Sequence, residues 1–134
     1  MMLGVMKTDF FKTVKILDGG MGQELLARGL ISKGTLWSAS ALINEDNHSL
    51  IVDTHRSFID AGADVIVTNN FSARKVRLEQ NKVENTFEYI NKKAGELAVK
   101  ARDISKKNVG KFHQYLDKNE IFTIESKLSD YIRF

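Results

Sequence analysis

Two short apolar runs, each followed at once by a polar turn and a helix-forming stretch, constrain the fold of this chain more than any other feature. The first is VKIL at 14–17, before DGG at 18–20, and the second is DVIVT at 64–68, before NNF at 69–71. Apolar β-branched runs that end at glycine or polar clusters are typical of strands buried on both faces. The order strand, helix, strand, helix predicts parallel βα units, and therefore an α/β fold.

Helical patterns fill the stretches between and after these strands. MGQELLARG at 21–29 contains helix formers up to a terminal glycine, and a short helix is expected around SASAL at 38–42. A further helix starts after Asp46 or Asn47, either of which can cap it, and ends at Gly62.

Apolar residues recur at helical spacing on one face of that helix and of a longer one that spans 83 to about 104. These positions are Leu50, Ile51, Phe58 and Ile59 in the first helix, and Val83, Phe87, Ile90, Ala94, Leu97, Ala101 and Ile104 in the second. The pattern predicts amphipathic helices that pack through these faces. RKVRLEQ at 74–80 is a charged helical stretch between them.

The turns after the two strands are the expected location of a binding site, because parallel βα folds bind ligands beyond the carboxyl ends of their strands. Glycine N–H groups at 18–20 can receive a carboxylate and Asp18 can hold an ammonium, so this turn suits the two ends of an amino acid. The alternative, commoner for such a sequence taken alone, is that DGG is only a turn. A dinucleotide fingerprint is excluded because Leu25 stands where its third glycine belongs.

Composition argues against several classes of function. The 20 basic and 17 acidic residues are interspersed and give a net charge of +3, so a nucleic-acid-binding surface is not indicated. The sequence shows no signal peptide and no run of the roughly 18 apolar residues that a membrane helix needs. We therefore expect a cytoplasmic protein with neither nucleic acid nor membrane as a partner. The chain has no cysteine, which excludes disulfides and thiolate metal ligands.

Four pieces, in this order and spacing, resemble the amino-terminal part of the homocysteine S-methyltransferase family. They are LDGGMGQELLARG at 17–29, LWSASAL at 36–42, HRSFIDAGADVI at 55–66 and TNNFSA at 68–73. The family includes the betaine–homocysteine and S-methylmethionine–homocysteine methyltransferases and the first module of cobalamin-dependent methionine synthase. The resemblance implies a (β/α)8 barrel of the TIM type that binds homocysteine at its carboxyl-end face. In the family, three cysteine thiolates hold a zinc ion that binds the homocysteine sulfur, which then attacks the methyl group of a donor.

The resemblance also implies roles for individual positions. The substrate-binding candidates are Asp18, Gly19, Gly20, Trp37, Thr68, Asn69 and Phe71. Asp18 and Gly19 match family residues that meet the amino-acid end of homocysteine, and Trp37 matches an aromatic residue that lines the site. Gly20 belongs to the turn after the first strand, whereas Thr68, Asn69 and Phe71 lie on the loop after the second strand and face the same mouth. No catalytic or metal-binding residue is assigned.

Three positions carry a qualified interpretation. Trp37 is equally well interpreted as an ordinary core residue, because a lone tryptophan is often a large residue of the core. Ser72 stands where betaine-type members have a tyrosine, which argues against a betaine-like donor site. His55 matches a position common in the family, but it lies on an amphipathic helix and we interpret it as structural.

The family's zinc ligands have no counterpart in this chain. The histidines do not replace the cysteines, because His48 and His55 lie two turns apart on one helix and His113 lies in another segment. Zinc is the cofactor that the resemblance implies for the family, but we expect this chain to bind no cofactor.

The resemblance divides the chain into three segments. Residues 1–13 form an N-terminal extension, 14–108 the amino-terminal part of a homocysteine-binding domain, and 109–134 a tail without family motifs, in which EIFTI at 120–124 could be a third strand. A (β/α)8 barrel takes roughly 250 residues, so we expect an incomplete barrel of the first two to three βα units.

These expectations lead to two hypotheses about function. The first is a truncated homocysteine S-methyltransferase-like protein that is inactive alone, with homocysteine and a methyl donor as its ligands. The alternative is a non-catalytic binding or assembly module, or one half of a split barrel. In that case the open strand edges would pair with the missing barrel part or with another copy of the chain.

Overall fold

The computed structural model of the protein describes residues 12–108, and helices account for nearly all of its regular structure. The α-helices are α1 (Met21–Ala27), α2 (Ser40–Ile43), α3 (His48–Asp60), α4 (Lys75–Gln80) and α5 (Phe87–Asn108), and 3₁₀ turns cover Gly34–Ala39, Glu45–Asn47 and Glu84–Thr86. Each helix that the sequence predicted within this range is present. The short helix expected around SASAL is a 3₁₀ turn that continues into α2.

The predicted ends of α1 and α3 are confirmed by their backbone geometry. Gly29 and Gly62 follow these helices with φ of 102° and 110°, a region that glycine adopts without steric cost. Lys82 takes the same place after α4, with φ of 57°. At each end a further N–H reaches back to a carbonyl five residues earlier: Leu30 to Leu25 at 2.9 Å, Ala63 to Phe58 at 3.0 Å and Val83 to Leu78 at 2.9 Å. All three ends are therefore Schellman motifs.

The start of α3 differs from the prediction. Asn47 occupies the cap position, but its side chain makes no capping hydrogen bond. The side chain of Asn44 instead accepts from the backbone N–H of Asp46 at 3.0 Å and caps the preceding 3₁₀ turn. The cap was misplaced because an extra 3₁₀ turn lies before the helix, and asparagine favours either position.

The apolar faces predicted for α3 and α5 pack against each other and form most of the core. Within the main cluster, Ile51 of α3 and Ile90, Ala94 and Ala101 of α5 are buried together with Leu25 of α1. The partly buried side chains at the edge of this cluster are Ile43, Leu50, Phe58, Val83, Phe87 and Ile104. Helical spacing was a reliable signal because burying one stripe of each helix excludes a large apolar area from water.

The two predicted strands are reduced to a single parallel bridge between Leu17 and Val65, and no strand is present among residues 12–108. The N–H of Asp18 donates to the carbonyl of Val65 at 2.9 Å, and the N–H of Val65 donates to the carbonyl of Ile16 at 3.2 Å. Beyond the bridge, aspartate side chains replace backbone partners. The N–H of Val67 donates to Asp18 Oδ2 at 2.8 Å and the N–H of Ile16 donates to Asp64 Oδ2 at 2.9 Å.

The two paired segments also differ in burial. Val65 and Ile66 are buried against α3 and α5, as predicted for the second segment. The first segment was predicted to be buried and is not: Val14 is 94% exposed, Ile16 59% and Leu17 63%. Burial of a strand requires layers that pack on both of its faces, and no described element covers this one.

Several predictions lie outside the described residues. They include most of the N-terminal extension, the whole tail with its candidate third strand, and His113. No described helix is both long enough and apolar enough to cross a membrane.

Candidate functional site

A cavity of about 230 Å³ lies between the start of α1, the 3₁₀ turn at Gly34–Ala39 and the loop that follows Val67. The predicted site residues that line it are Gly20, Trp37, Thr68, Asn69 and Phe71. Ser72, which the sequence connects with the donor site, lines it too, whereas the remaining lining residues were not selected from the sequence: Met21, Gly22, Gln23 and Ser38. The volume of the cavity suits a small molecule, and none of the side chains that line it is charged.

Trp37 forms one wall of the cavity in an unusual backbone conformation. Its φ and ψ are 47° and −122°, and its side chain is 43% exposed. For a residue other than glycine such a backbone costs about 1–3 kcal/mol, and this kind of strain is concentrated at functional sites. Two hydrogen bonds hold the backbone at and just after Trp37: Ser40 Oγ donates to the Trp37 carbonyl at 2.5 Å, and Asn69 Nδ2 donates to the Ser38 carbonyl at 3.2 Å.

Gly22 on α1 allows the indole of Trp37 to approach the helix. A Cβ at this position would lie 3.2 Å from Trp37 Cε2 and 3.3 Å from Ser38 Cβ, closer than ordinary contact. A glycine within a helix costs about 1 kcal/mol relative to alanine, and here it is explained by the space that the cavity wall needs. A lone glycine in a helical pattern was the available signal for this residue.

Asp18 and Gly19 do not line the cavity. Burial raises the pKa of the half-buried Asp18 carboxyl, and the N–H groups of Val67 and Asp18 itself partly oppose this effect. Gly19 faces Phe58, whose Cε1 would lie 2.9 Å from a Cβ at position 19. Both residues thus have a structural explanation in the described fold, which supports the reading of DGG as a turn.

The loop at 68–73 is tied to α5 by side-chain amides. Thr68 Oγ1 donates to Asn70 Oδ1 at 2.7 Å, and Asn70 Nδ2 donates to Asn91 Oδ1 at 2.9 Å. Asn91 Nδ2 donates to the carbonyl of Ala73 at 3.1 Å. Asn91 was missed by sequence reasoning because an asparagine on a helix lies outside any pattern of apolar spacing.

His55 lies in the interior of the fold. It is fully buried, and neither ring nitrogen has a hydrogen-bond partner among the described residues. Burial lowers its pKa to about 4, so the ring is neutral at physiological pH. This environment favours the structural interpretation.

The described residues do not fit the metal site that the family resemblance implies. Residues 12–108 contain no group of three His, Cys, Asp or Glu side chains that could hold a metal ion. The whole chain has no cysteine, so it cannot supply a set of three thiolates.

The described residues place helices around one parallel bridge, with a cavity beyond the carboxyl ends of the bridged segments. The family model described as Homocysteine S-methyltransferase matches residues 15–130, so the chain belongs to this family. The match extends past Asn108, after which no further motif was recognised in the sequence.

Comparisons with individual proteins agree with this assignment. The chain is 35% identical over 95 residues to homocysteine S-methyltransferase 1 of Arabidopsis thaliana, covering 66% of the chain and 27% of the relative. It is 33% identical over 91 residues to homocysteine S-methyltransferase of Escherichia coli K12, covering 67% and 29%. The crystal structure of the E. coli homocysteine methyltransferase MmuM in its metallated form matches with a TM-score of 0.68 and 28% identity, covering 80% of this chain and 37% of that chain. The chain therefore spans 27% to 37% of the length of these relatives.

Proposed function

We propose that this chain supplies the amino-acid-binding part of a homocysteine S-methyltransferase, with homocysteine in the cavity between α1 and the loop at 68–73. The observation that carries the proposal is that residues distant in sequence, Gly20, Trp37 and Thr68, meet at one cavity in a member of this family. Phe71, 60% exposed, supplies a further apolar surface beside it. Apolar walls with a few polar groups are typical of small-molecule sites.

We assign the two bridged segments to the first two strands of a (β/α)8 barrel. Their parallel direction supports this assignment, as does their chain order and the TM-score of 0.68 to a solved homocysteine methyltransferase. In that arrangement the exposed side of the 14–17 segment would be covered by barrel elements other than those described. A cytoplasmic location remains part of the proposal.

The described part of the chain binds and orients a substrate but offers no group that activates a thiol. A free thiol has a pKa of about 8.5 and is mostly protonated at neutral pH. Zinc supplies this activation in the family by stabilising the thiolate. Because the residues described here do not fit zinc, we propose that the isolated chain does not catalyse methyl transfer.

Binding is tested by titrating the protein with L-homocysteine while recording heat and the fluorescence of Trp37, the single tryptophan of the chain. We expect saturable binding in which the heat and the fluorescence change give the same affinity. A matched titration of Phe71→Ala, which removes an exposed cavity side chain, should show weaker binding with unchanged unfolding. Absence of binding by the unmutated protein would contradict the proposal.

Catalysis is tested separately with metal-free and zinc-loaded protein, homocysteine and S-methylmethionine as one of the family's donors. We expect no turnover in either sample. Turnover that survives chelation would refute the zinc argument. Zinc-dependent turnover would show a ligand set outside residues 12–108.

A second candidate function, assembly, rests on the exposure of Val14, Ile16 and Leu17. These apolar side chains lie beside a bridge whose outer edge has no described partner strand. The occupant we assign to this face is the rest of a homocysteine methyltransferase barrel, because the chain matches only 37% of the solved relative. Co-expression with the complementary part of the E. coli enzyme should give a stable complex. Light scattering that shows only the free chain would contradict this candidate.

A further inference from the structure

The hydroxyl of Thr68 ends a chain of hydrogen bonds that begins on α5. Asn91 Nδ2 donates to two backbone carbonyls, those of Phe87 at 2.8 Å and Ala73 at 3.1 Å. Asn70 Nδ2 then donates to Asn91 Oδ1 at 2.9 Å, and Thr68 Oγ1 donates to Asn70 Oδ1 at 2.7 Å. Thr68 itself is 8% exposed and lines the cavity.

The polarity of this chain is fixed at its backbone end. A carbonyl can only accept, so the side of the Asn91 amide that faces Phe87 and Ala73 must be its NH₂ group. Its oxygen therefore faces Asn70, whose own NH₂ group must donate to it. The oxygen of Asn70 is left to accept the hydroxyl proton of Thr68. Each amide orientation follows from the preceding one, and the reverse orientation would oppose two acceptors.

A hydroxyl group has one proton and two lone pairs. Because the proton of Thr68 is already donated to Asn70, a ligand in the cavity meets only lone pairs at this hydroxyl. Two further side-chain amides line the cavity, Gln23 and Asn69; Asn69 Nδ2 donates to the Ser38 carbonyl, and its Oδ1 accepts from no described group. With no charged side chain in the lining, a cationic group there meets neutral acceptors, such as this hydroxyl, and the aromatic rings of Trp37 and Phe71.

We propose that Asn91 and Asn70 hold the Thr68 hydroxyl as an obligate acceptor, so that this hydroxyl selects for an N–H donor on the ligand, such as the ammonium of an amino acid. The inference rests on the proposed function, and it names the part of homocysteine that Thr68 contacts. Asn70 and Asn91 are positioning residues, because they act through Thr68 and lie behind it.

The ligand contact is tested with L-homocysteine and its deaminated analogue, sulfanylbutanoate, whose affinities are compared by calorimetry. The unmutated protein should prefer the amino acid. Thr68→Val keeps the shape of the side chain but removes the hydroxyl, and should weaken homocysteine binding roughly tenfold while leaving the analogue unchanged. Thr68→Ser should retain the preference. Thr86→Val is the matched control, because Thr86 Oγ1 donates to the Val83 carbonyl at 2.6 Å and does not line the cavity.

The positioning role is tested by the ratio of the two affinities, because a merely structural defect weakens both ligands equally. Asn70→Ala frees the Thr68 proton to point into the cavity and should lower the ratio several-fold. Asn91→Ala removes the group that orients Asn70 and should lower it in the same direction. A ratio unchanged in both variants overturns the inference.

A measurement on the unmutated protein keeps the inference testable where variants fail to fold. The side-chain NH₂ protons of Asn70 and Asn91 should exchange slowly with water in nuclear magnetic resonance spectra of the free protein. Rapid exchange of both overturns the hydrogen-bond chain. If the protein binds neither ligand, the proposed function fails and this inference with it. If it binds both with equal affinity, the inference alone fails.

Discussion

The carboxylate of Asp18 accepts a hydrogen bond from the backbone N–H of Val67 at 2.8 Å, across 49 positions of sequence. In a regular parallel ladder that N–H would meet the carbonyl of residue 18. Asp64 does the same at the other end of the bridge, where its Oδ2 accepts from the N–H of Ile16 at 2.9 Å. Two aspartates therefore end the pairing of the 14–17 and 64–68 segments, and Asp18 directs the chain into the turn beside the cavity.

Asp18→Ala should destabilise the fold by about 1.5–3 kcal/mol, because it leaves the partly buried N–H of Val67 without its charged acceptor. Asp18→Asn keeps an oxygen for this bond and should cost less than about 1 kcal/mol. Urea unfolding at neutral pH measures both variants. Equal stability of the Ala variant and the unmutated protein, combined with lost homocysteine binding, would show that Asp18 serves the ligand instead of the fold.

The Asp18 carboxyl should also affect how stability varies with acid pH. Burial raises the pKa of this carboxyl in the folded state above the ordinary 3.8. The protonated carboxyl therefore contributes fully to the free energy of unfolding below pH 3.8, and this contribution is lost as the pH rises through the folded-state pKa. Asp18→Asn, which does not titrate, should lack this contribution. Unfolding curves of the two proteins between acid and neutral pH give the difference, and parallel curves would contradict the shift.

His55 should make the fold sensitive to mild acid. Its pKa is lowered to about 4 by burial, against 6.5 in the unfolded chain. The contribution of neutral His55 to the free energy of unfolding is complete above pH 6.5 and is lost as the pH falls through about 4. The loss amounts to roughly 3 kcal/mol. His55→Leu should remove this dependence, whereas His48→Gln should retain it. The same loss of stability in the His55→Leu protein would assign it to other groups.

Gly22→Ala should disturb the cavity while leaving helix α1 intact. The added Cβ would lie 3.2 Å from the indole of Trp37, which must move into the cavity or away from it. We expect a shifted Trp37 emission maximum and weaker homocysteine binding. Gly20 also lines the cavity, so Gly20→Ala is a control for the Trp37 emission alone; its Cβ would lie 3.7 Å from Gln23, an ordinary contact. Identical emission in the two variants would contradict a tight wall at Gly22.

Lys82→Gly should stabilise the protein by about 0.5–1 kcal/mol. Lys82 ends α4 with φ of 57°, where a side chain costs roughly 1–2 kcal/mol, and part of the gain is offset by the greater freedom of glycine in the unfolded chain. Gly29→Ala makes the opposite change after α1, at φ of 102°, and should destabilise by about 1 kcal/mol or more. Thermal midpoints should therefore move in opposite directions. A lower midpoint for Lys82→Gly would refute the interpretation of this helix end.

Leu17→Lys should weaken pairing of the exposed 14–17 segment with a complementary barrel part. Its side chain is 63% exposed, so the substitution removes apolar surface from an interface without opening the core. Ile31→Lys, at a side chain 91% exposed elsewhere, is the control. Light scattering of co-expressed parts should show loss of the complex with Leu17→Lys alone. Loss with both variants would indicate non-specific association.

The sequence by itself determined the features that depend on neighbouring residues. The ends of α1 and α3 were predictable because glycine alone adopts positive φ freely, and Gly29 and Gly62 do so. The apolar faces of α3 and α5 were predictable because helical spacing places such residues on one side before any packing occurs. The family was recognised from four ordered pieces, and the cavity lies beside the two turns that the alternation of strand and helix had indicated.

The tertiary structure decided what depends on residues distant in sequence. No local pattern shows that Phe58 approaches Gly19, that the N–H of Val67 donates to the Asp18 carboxylate, or that Asn91 orients Asn70. These contacts show that Asp18 and Gly19 also take part in the fold, and that the side chain of Asn91 on α5 holds the loop at 68–73. Burial of the 14–17 segment was predicted from its composition, but burial needs a covering layer, and among residues 12–108 the chain provides one only for Val65 and Ile66.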